Sequence, residues 1–296
     1  MSGRAVVVVK RTSFQRSVED ERDPRILALL DAGDASVRRM RTAHDAHRRA
    51  VDAVSEGLLR AGLSSDVVGP TDRFDTAGAA LVVTVGGDGT LLTASHQVGV
   101  GVPVLGVNSA PEHSVGFFCG ADGATVDAVL ARLAAGELPR VVLTRMEVRR
   151  DGALLSKHVL NDALFCHESP AATSRYLLRV HGGEEEQRSS GFWVGPAAGS
   201  TAAQRSAGGD VLPLDSDELQ LVVREPYTPY GRPLVMTKLL LRRGELLEIR
   251  SKMHDARLFL DGPAERADIR FGEVLTFTAS DEPLTLLGMR ADRTKG

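Results

Sequence analysis

The sequence predicts an α/β domain followed by a mostly β domain, and three observations carry that expectation. Residues 1–138 alternate short apolar runs with segments of helical period, whereas residues 139–296 are short strand-like runs broken by turn signals. Between a strand and a helix pattern lies "LVVTVGGDGTLL", Leu81 to Leu92, with three glycines around one aspartate. A chain of 296 residues also exceeds one average domain. The expected architecture is a Rossmann-like parallel α/β domain, then a β-sandwich-like domain, with the active site in the crevice between them and the final residues able to return to the first domain.

The elements follow in order. "AVVVV" from Ala5 is a continuous apolar run, as expected of a parallel strand covered on both faces. From Ala35 to Ala61, Val37, Met40, Ala43, Ala50, Val54 and Leu58 share one face, which gives an amphipathic helix ended by Gly62. His44 and His47 lie three apart on it and are expected to be solvated, with a metal pair as the alternative. "SSDVVG", "AALVVTV" and "VPVLGV" read as strands, while "TLLTASHQV" and "ADGATVDAVLARLAAGE" read as helices. After residue 138, "RVVLTRMEVRR" and "ALLSKHVLND" flank Asp151-Gly152, a strong hairpin signal. Further strands are expected in "RYLLRVHGGEEE", "ELQLVVREP", "RPLVMTKLLLRRGELLEIRS", "ARLFLDG" and "IRFGEVLTFTAS", with "GGEEEQRSSG" as a polar loop.

Composition narrows the function. Apolar residues make up 43% and charged residues 25%, ordinary for a globular chain, and no run approaches a membrane span. The net charge of −3 gives no global field toward nucleic acid or lipid. The two cysteines, Cys119 and Cys166, are far apart and without metal spacing, so each is expected to be a small buried residue in a reducing compartment. The apolar run at Ala5 leaves no room for a leader, so the expected location is the cytoplasm.

A strand, a glycine turn and a helix form the geometry that cradles phosphate, because glycine lets backbone N–H groups approach the oxygens. Residues 86 to 91 run Gly-Gly-Asp-Gly-Thr-Leu, which is neither a Walker A loop nor GxGxxG. A type I′ hairpin turn at Asp88-Gly89 is the plainer alternative. The next strand is about a dozen residues away, a crossover distance that argues against the hairpin.

Here the sequence resembles the NAD kinase family, which carries GGDGT at this turn. "GVNSAPEHSVGFF", "VLNDALF", "SSGFWVGPAAGSTAAQRSAGG", "RPLV" and "FLDG" match further family segments in order over residues 80 to 262. The Pro-Glu pair after "GVN", "ES…SR" and "SSG" bring it nearest the mitochondrial-type branch. The resemblance implies phosphoryl transfer from ATP to the 2′-hydroxyl of the adenosine ribose of NAD, giving NADP. Asp88 would be the general base. Gly86, Gly87, Gly89, Thr90 and Asn108 would bind nucleotide phosphate. Phe117, Asn161, Asp162, Ser190, Gly199, Ser200, Thr201 and Ala202 would bind NAD. Mg2+ would arrive with ATP, without a protein ligand that the sequence identifies, and a homodimer is expected by analogy. No nucleic acid or membrane partner is expected.

The chain departs from the family's pattern at three places. Ser190 stands where most relatives have aspartate, Ala203 where an aromatic follows GSTA, and Asp162 where glutamate is usual. Phe117 is balanced between a wall for a base and a core residue, and Trp193 between a stacking surface and core packing, with core favoured. Rival readings are a non-catalytic NAD sensor, which Ser190 and Ala203 favour, and a lipid or sphingoid kinase. "LLTASH" after GGDGT speaks against the latter.

Overall fold

The computed structural model describes residues 3–228 and 233–295. Arg232 of the "RPLV" segment lies outside the described residues. The chain divides into two compact units, one running to Val141 and resuming at Thr285, the other Val142–Leu284. Among the described residues no helix is long and apolar enough to cross a membrane.

The first unit is α/β. Its elements are β1 (Gly3–Val9), a six-residue π-helical segment (Gln15–Asp20), α1 (Pro24–Asp31), α2 (Arg38–Arg60), β2 (Leu63–Val68), β3 (Ala79–Gly86), α3 (Asp88–Ser95), β4 (Val104–Asn108), β5 (Cys119–Asp122), α4 (Val126–Ala134) and β6 (Arg140–Leu143). The sheet order is β2-β1-β3-β4, continued by the chain's last strand and β6, with β5 paired to β4. Strands β1 to β5 pair in parallel. Because β1 is flanked by β2 and β3, the chain winds one way from β1 and then the other. That reversal makes a crevice at the carboxyl ends of β1 and β3, the place where such sheets hold ligands.

The β1 run is buried as expected, and α2 lays Ala50, Val54 and Leu58 against the sheet core. His44 and His47 correct their expectation: they are 6% and 4% exposed. His44 accepts or donates a 2.8 Å bond with Thr12 Oγ1 and stacks on Phe14. Burial, helped by Lys10 and His44, pushes His47 down to about 4, so the ring packs as a neutral group. Thr12, Phe14 and Glu19, in and just before the π-helical segment, lie against the His44 ring, and they showed no clean period in the sequence.

The second unit is, among its described residues, all β apart from two short helical segments. Its strands are β7 (Met146–Arg150), β8 (Ala153–Val159), β9 (Ala163–His167), β10 (Ser174–Val180), β11 (Gly183–Ser189), β12 (Phe192–Pro196), β13 (Leu219–Val223), β14 (Lys238–Leu241), β15 (Leu247–Ser251), β16 (Ala256–Leu260), β17 (Glu265–Ile269) and β18 (Val274–Ala279); the closing β19 (Leu284–Leu287) joins the first sheet beside β4. A 3₁₀ turn (Ala197–Thr201) and α5 (Ala203–Ser206) follow β12.

Two six-stranded antiparallel sheets result, in the orders β11-β10-β15-β18-β7-β8 and β14-β13-β12-β9-β16-β17. Phe165 and Phe192 from one meet Tyr176 and Phe277 from the other, with ring centroids 5.2 to 6.0 Å apart, so the core lies between two facing sheets. Asp151 and Gly152 take φ of +47° and +81°, as a tight β7–β8 hairpin requires.

Three sequence expectations change here. "RVVLTRMEVRR" is not one strand: β6 serves the parallel sheet and β7 the sandwich. "RPLVMTKLLLRRGELLEIRS" likewise divides into β14 and β15, which lie in different sheets. "GGEEEQRSSG" is largely strand β11, paired along its length with β10. It is an edge strand whose Gln187 and Ser189 face inward while Glu184 and Glu186 face solvent, and outward charge blunts an edge. Cys119 is buried as expected, whereas Cys166 is only half-buried.

Candidate active site

The first cluster forms at the carboxyl ends of β1, β3 and β4. Strand β3 ends at Gly86, Gly87 is extended, and Asp88 opens α3. The hairpin alternative is thereby excluded, because residues 88–95 are helical. Among the described residues no side chain caps α3, which leaves its leading N–H groups available to an anion. Thr90, largely buried, donates its N–H to the Gly87 carbonyl at 3.0 Å and closes the turn.

The Asp88 carboxylate is held from the opposite side. Oδ1 accepts the Phe118 N–H at 2.8 Å and Oδ2 accepts the Phe117 N–H at 3.0 Å. Each oxygen keeps a lone pair, so the group can still receive a hydroxyl proton while its orientation is fixed. Phe117 itself is 50% exposed and is not a core residue. Asn108, at the end of β4, accepts the Ala110 N–H and donates to the Ser114 carbonyl at 2.8 Å, shaping the segment that leads to Phe117.

Sequence reasoning missed the neighbour on β1. Lys10 donates its N–H to the Val85 carbonyl at 2.9 Å, which places it at the mouth of the glycine turn. Lys10, Arg11 and Arg16 line an open cavity of about 630 Å³ with Val67–Asp72. Arg11 is paired with Asp20 at 2.6 Å. The signal was present in "VKRTSFQR", a basic run at a strand's carboxyl end, a feature suited to a polyanion.

The second cluster lies in the sandwich unit. Asn161 and Asp162 interrupt the chain between β8 and β9. Asp261, of the "FLDG" segment, draws that interruption into shape by accepting the N–H groups of Leu160, Asn161 and Asp162 at 2.8, 2.7 and 3.0 Å. Asp162 is 5% exposed and accepts the Asn161 side-chain amide at 2.8 Å. Burial first, and the charge of Asp261 second, push its carboxyl up to about 7.

The glycine-rich segment packs directly on this pair. A Cβ at Gly199 would fall on the Asn161 carbonyl oxygen, so only glycine permits the approach. Gln204 donates to that same carbonyl at 3.3 Å and accepts from Gln220 at 3.1 Å. Ser200 is fully buried; its hydroxyl donates to the Ala197 carbonyl and accepts the Leu212 N–H, so it braces the loop. Thr201 and Ala202 are half-buried, and Ser190 sits at the β11–β12 turn with its N–H on the Arg224 carbonyl. Trp193 is half-buried at the rim of a cavity, which sets aside its expected place in the core.

The structure thus gathers Gly86, Gly87, Asp88, Gly89, Thr90, Asn108 and Phe117 in one unit. In the other it gathers Asn161, Asp162, Gly199, Ser200, Thr201 and Ala202. No group of three or more His, Cys, Asp or Glu suited to a metal occurs among the described residues.

Comparison with known proteins identifies the family. The sequence profile of the "ATP-NAD kinase N-terminal domain" matches residues 28–138. A "Probable NADH kinase" of Oryza sativa subsp. japonica is 35% identical over 225 residues, covering 69% of either chain. An "NAD kinase" of Mycobacterium bovis is 28% identical over 269 residues, covering 88% of this chain and 84% of its own. The crystal structure of an NAD kinase from Archaeoglobus fulgidus in complex with ATP shares the fold, with a TM-score of 0.66 at 21% identity over 95% of this chain and 92% of that one. The chain belongs to the NAD kinase family.

Proposed function

We propose that the protein transfers the terminal phosphoryl group of ATP to the 2′-hydroxyl of the adenosine ribose of NAD or NADH. The observation that carries this reading is Asp88: a carboxylate fixed by two backbone N–H groups at the first turn of an uncapped helix, where the sheet's winding reverses. Asp88 takes the hydroxyl proton as the oxygen attacks. The N–H groups at Gly86, Gly87 and Gly89, with Thr90, receive the oxygens of the moving phosphoryl group. Lys10 and Arg16 supply cationic partners for the donor's remaining phosphates. Mg2+ brought with ATP as part of the donor would offset phosphate charge.

We assign the phosphoryl chemistry to residues 1–138 and the dinucleotide contacts other than Phe117 to residues 139–296. Asp162 and Asn161 hold ribose hydroxyls and base edges, because carboxylate and amide together provide acceptors and donors. Thr201 and Ala202 present backbone to the base, and Phe117 offers an apolar surface. A homodimer is the assembly proposed by analogy with the family.

The test is 2′-phosphorylation of NAD and NADH by purified protein with Mg-ATP, beside Asp88→Asn. General-base loss should lower kcat by about 10²–10⁴ with the fold intact. Wild type that binds dinucleotide without turnover would return the sensor reading. An Asp88→Asn variant as active as wild type would make Asp88 only a clasp for Phe117 and Phe118.

A further inference from the structure

A second cavity lies in the sandwich unit, and Ala203, one of the chain's departures from the family pattern, lines it. It measures about 530 Å³, within the range of small-ligand sites, and is lined by Trp193, Ala203, Ser206, Ala207, Arg224 and Glu225. Phe192 and Val194 on either side of Trp193 are fully buried, so strand alternation turns the indole to the other face. The Arg224 guanidinium carbon stands 5.8 Å from the indole centroid. Its Nη1 donates to the Ser190 carbonyl at 3.2 Å, and the Ser190 N–H donates back to the Arg224 carbonyl at 3.0 Å.

An aromatic ring at position 203 would occupy this space; Ala203 leaves it open to Trp193. The guanidinium is tied to the Ser190 backbone carbonyl, a contact that any residue at 190 supplies, and serine there adds no charge to oppose it. The aromatic surface of the cavity is therefore that of Trp193, with a cation beside it.

We propose that Trp193 and Arg224 form the wall on which an uncharged flat base of the dinucleotide stacks, in the room left by Ala203. The proposal rests on the kinase reading above. Indole and guanidinium both stack on planar rings, and Arg224 opposes a ring that carries its own positive charge. Adenine and dihydronicotinamide satisfy that condition, whereas the oxidised nicotinamide ring does not. Ser206 lies at the rim as a hydroxyl partner for the base or its ribose.

The experiment uses the fact that the chain has one tryptophan, so all indole emission comes from Trp193. AMP, which carries adenine, should quench it saturably, and nicotinamide mononucleotide, which carries the cationic ring, should bind about tenfold more weakly or worse. In turnover, Trp193→Ala should raise KM for NADH by about tenfold to a hundredfold with KM for ATP unchanged and kcat within about threefold. Adding Ala203→Tyr to that variant should restore most of the loss, which a purely structural role for Trp193 would not allow. Absence of saturable quenching, equal quenching by the two mononucleotides, or a fall in kcat alone would overturn the proposal. Quenching without turnover in wild type would remove the kinase reading and keep the base site; turnover without quenching would do the reverse.

Discussion

Gly89 separates the needs of the fold from the needs of a ligand. It is the second residue of α3, its φ lies outside the left-handed region, and a Cβ built on it would meet nothing within 4 Å. Nothing in the protein therefore demands glycine. Alanine in a helix is more favourable than glycine by about 0.5–1 kcal/mol, less at a terminal turn, so Gly89→Ala should raise Tm by about 1–3 °C. A phosphate drawn onto the Gly89 N–H, with its remaining oxygens lying over the Cα, would instead be crowded by the new methyl. The donor would shift by about 1 Å, and a shift of that size costs about a hundredfold in rate. Differential scanning calorimetry and initial-rate kinetics on the same preparation check both halves. A variant that is more stable and fully active would refute the phosphate role of this turn. A variant that loses several degrees would refute the premise that the position is sterically free.

Two further outcomes follow from the same geometry. Lys10→Ala should raise KM for ATP about tenfold and flatten its salt dependence, since one phosphate contact is lost while the turn keeps its backbone; kinetics at two ionic strengths check this. Asp162 makes stability fall with pH: its folded carboxyl is raised to about 7 against an unfolded value near 3.8, so the native state holds the proton more tightly. That contribution is complete below about pH 4 and is lost as pH climbs through about 7, with a ceiling of roughly 4 kcal/mol. Urea midpoints should fall between pH 5 and pH 8 in wild type and much less in Asp162→Asn; parallel curves would refute the assignment.

What could be read from the sequence was whatever a local pattern encodes. The β-branched run before GGDGT, the crossover distance after it and the Asp151-Gly152 hairpin each depend on a few adjacent residues, and each appears where expected. The β11 edge was misread because its strand signal is carried by only two inward residues, Gln187 and Ser189, while glutamates fill the other face. His44 reads as solvated because the segment that packs on it, Thr12 to Glu19, lacks a clean period of its own. Asp261 could not have been assigned at all. Its three N–H bonds to Leu160, Asn161 and Asp162 span about a hundred residues of chain, and no spacing records them.

The aspartates of the two clusters show why site residues and scaffold residues resist separation. Asp88 and Asp261 are both held by backbone N–H groups, two in one case and three in the other. Asp162 has one side-chain amide and a buried position beside Asp261. A carboxylate that collects N–H donors organises the backbone around it, so Asp261 sets the geometry of Asn161 and Asp162 without itself being free to meet a ligand. Asp88 does both: it orients the Phe117 segment and retains one lone pair on each oxygen. Asp162, near half protonation at neutral pH, can donate to a ribose oxygen or accept from a ribose hydroxyl, whichever the bound nucleotide presents. Loss of Asp261 would thus misplace Asp162 with no contact to substrate, and loss of Asp88 would combine a lost base with a loosened Phe117. The two effects at Asp88 part by temperature: the first leaves Tm alone, and the second lowers it.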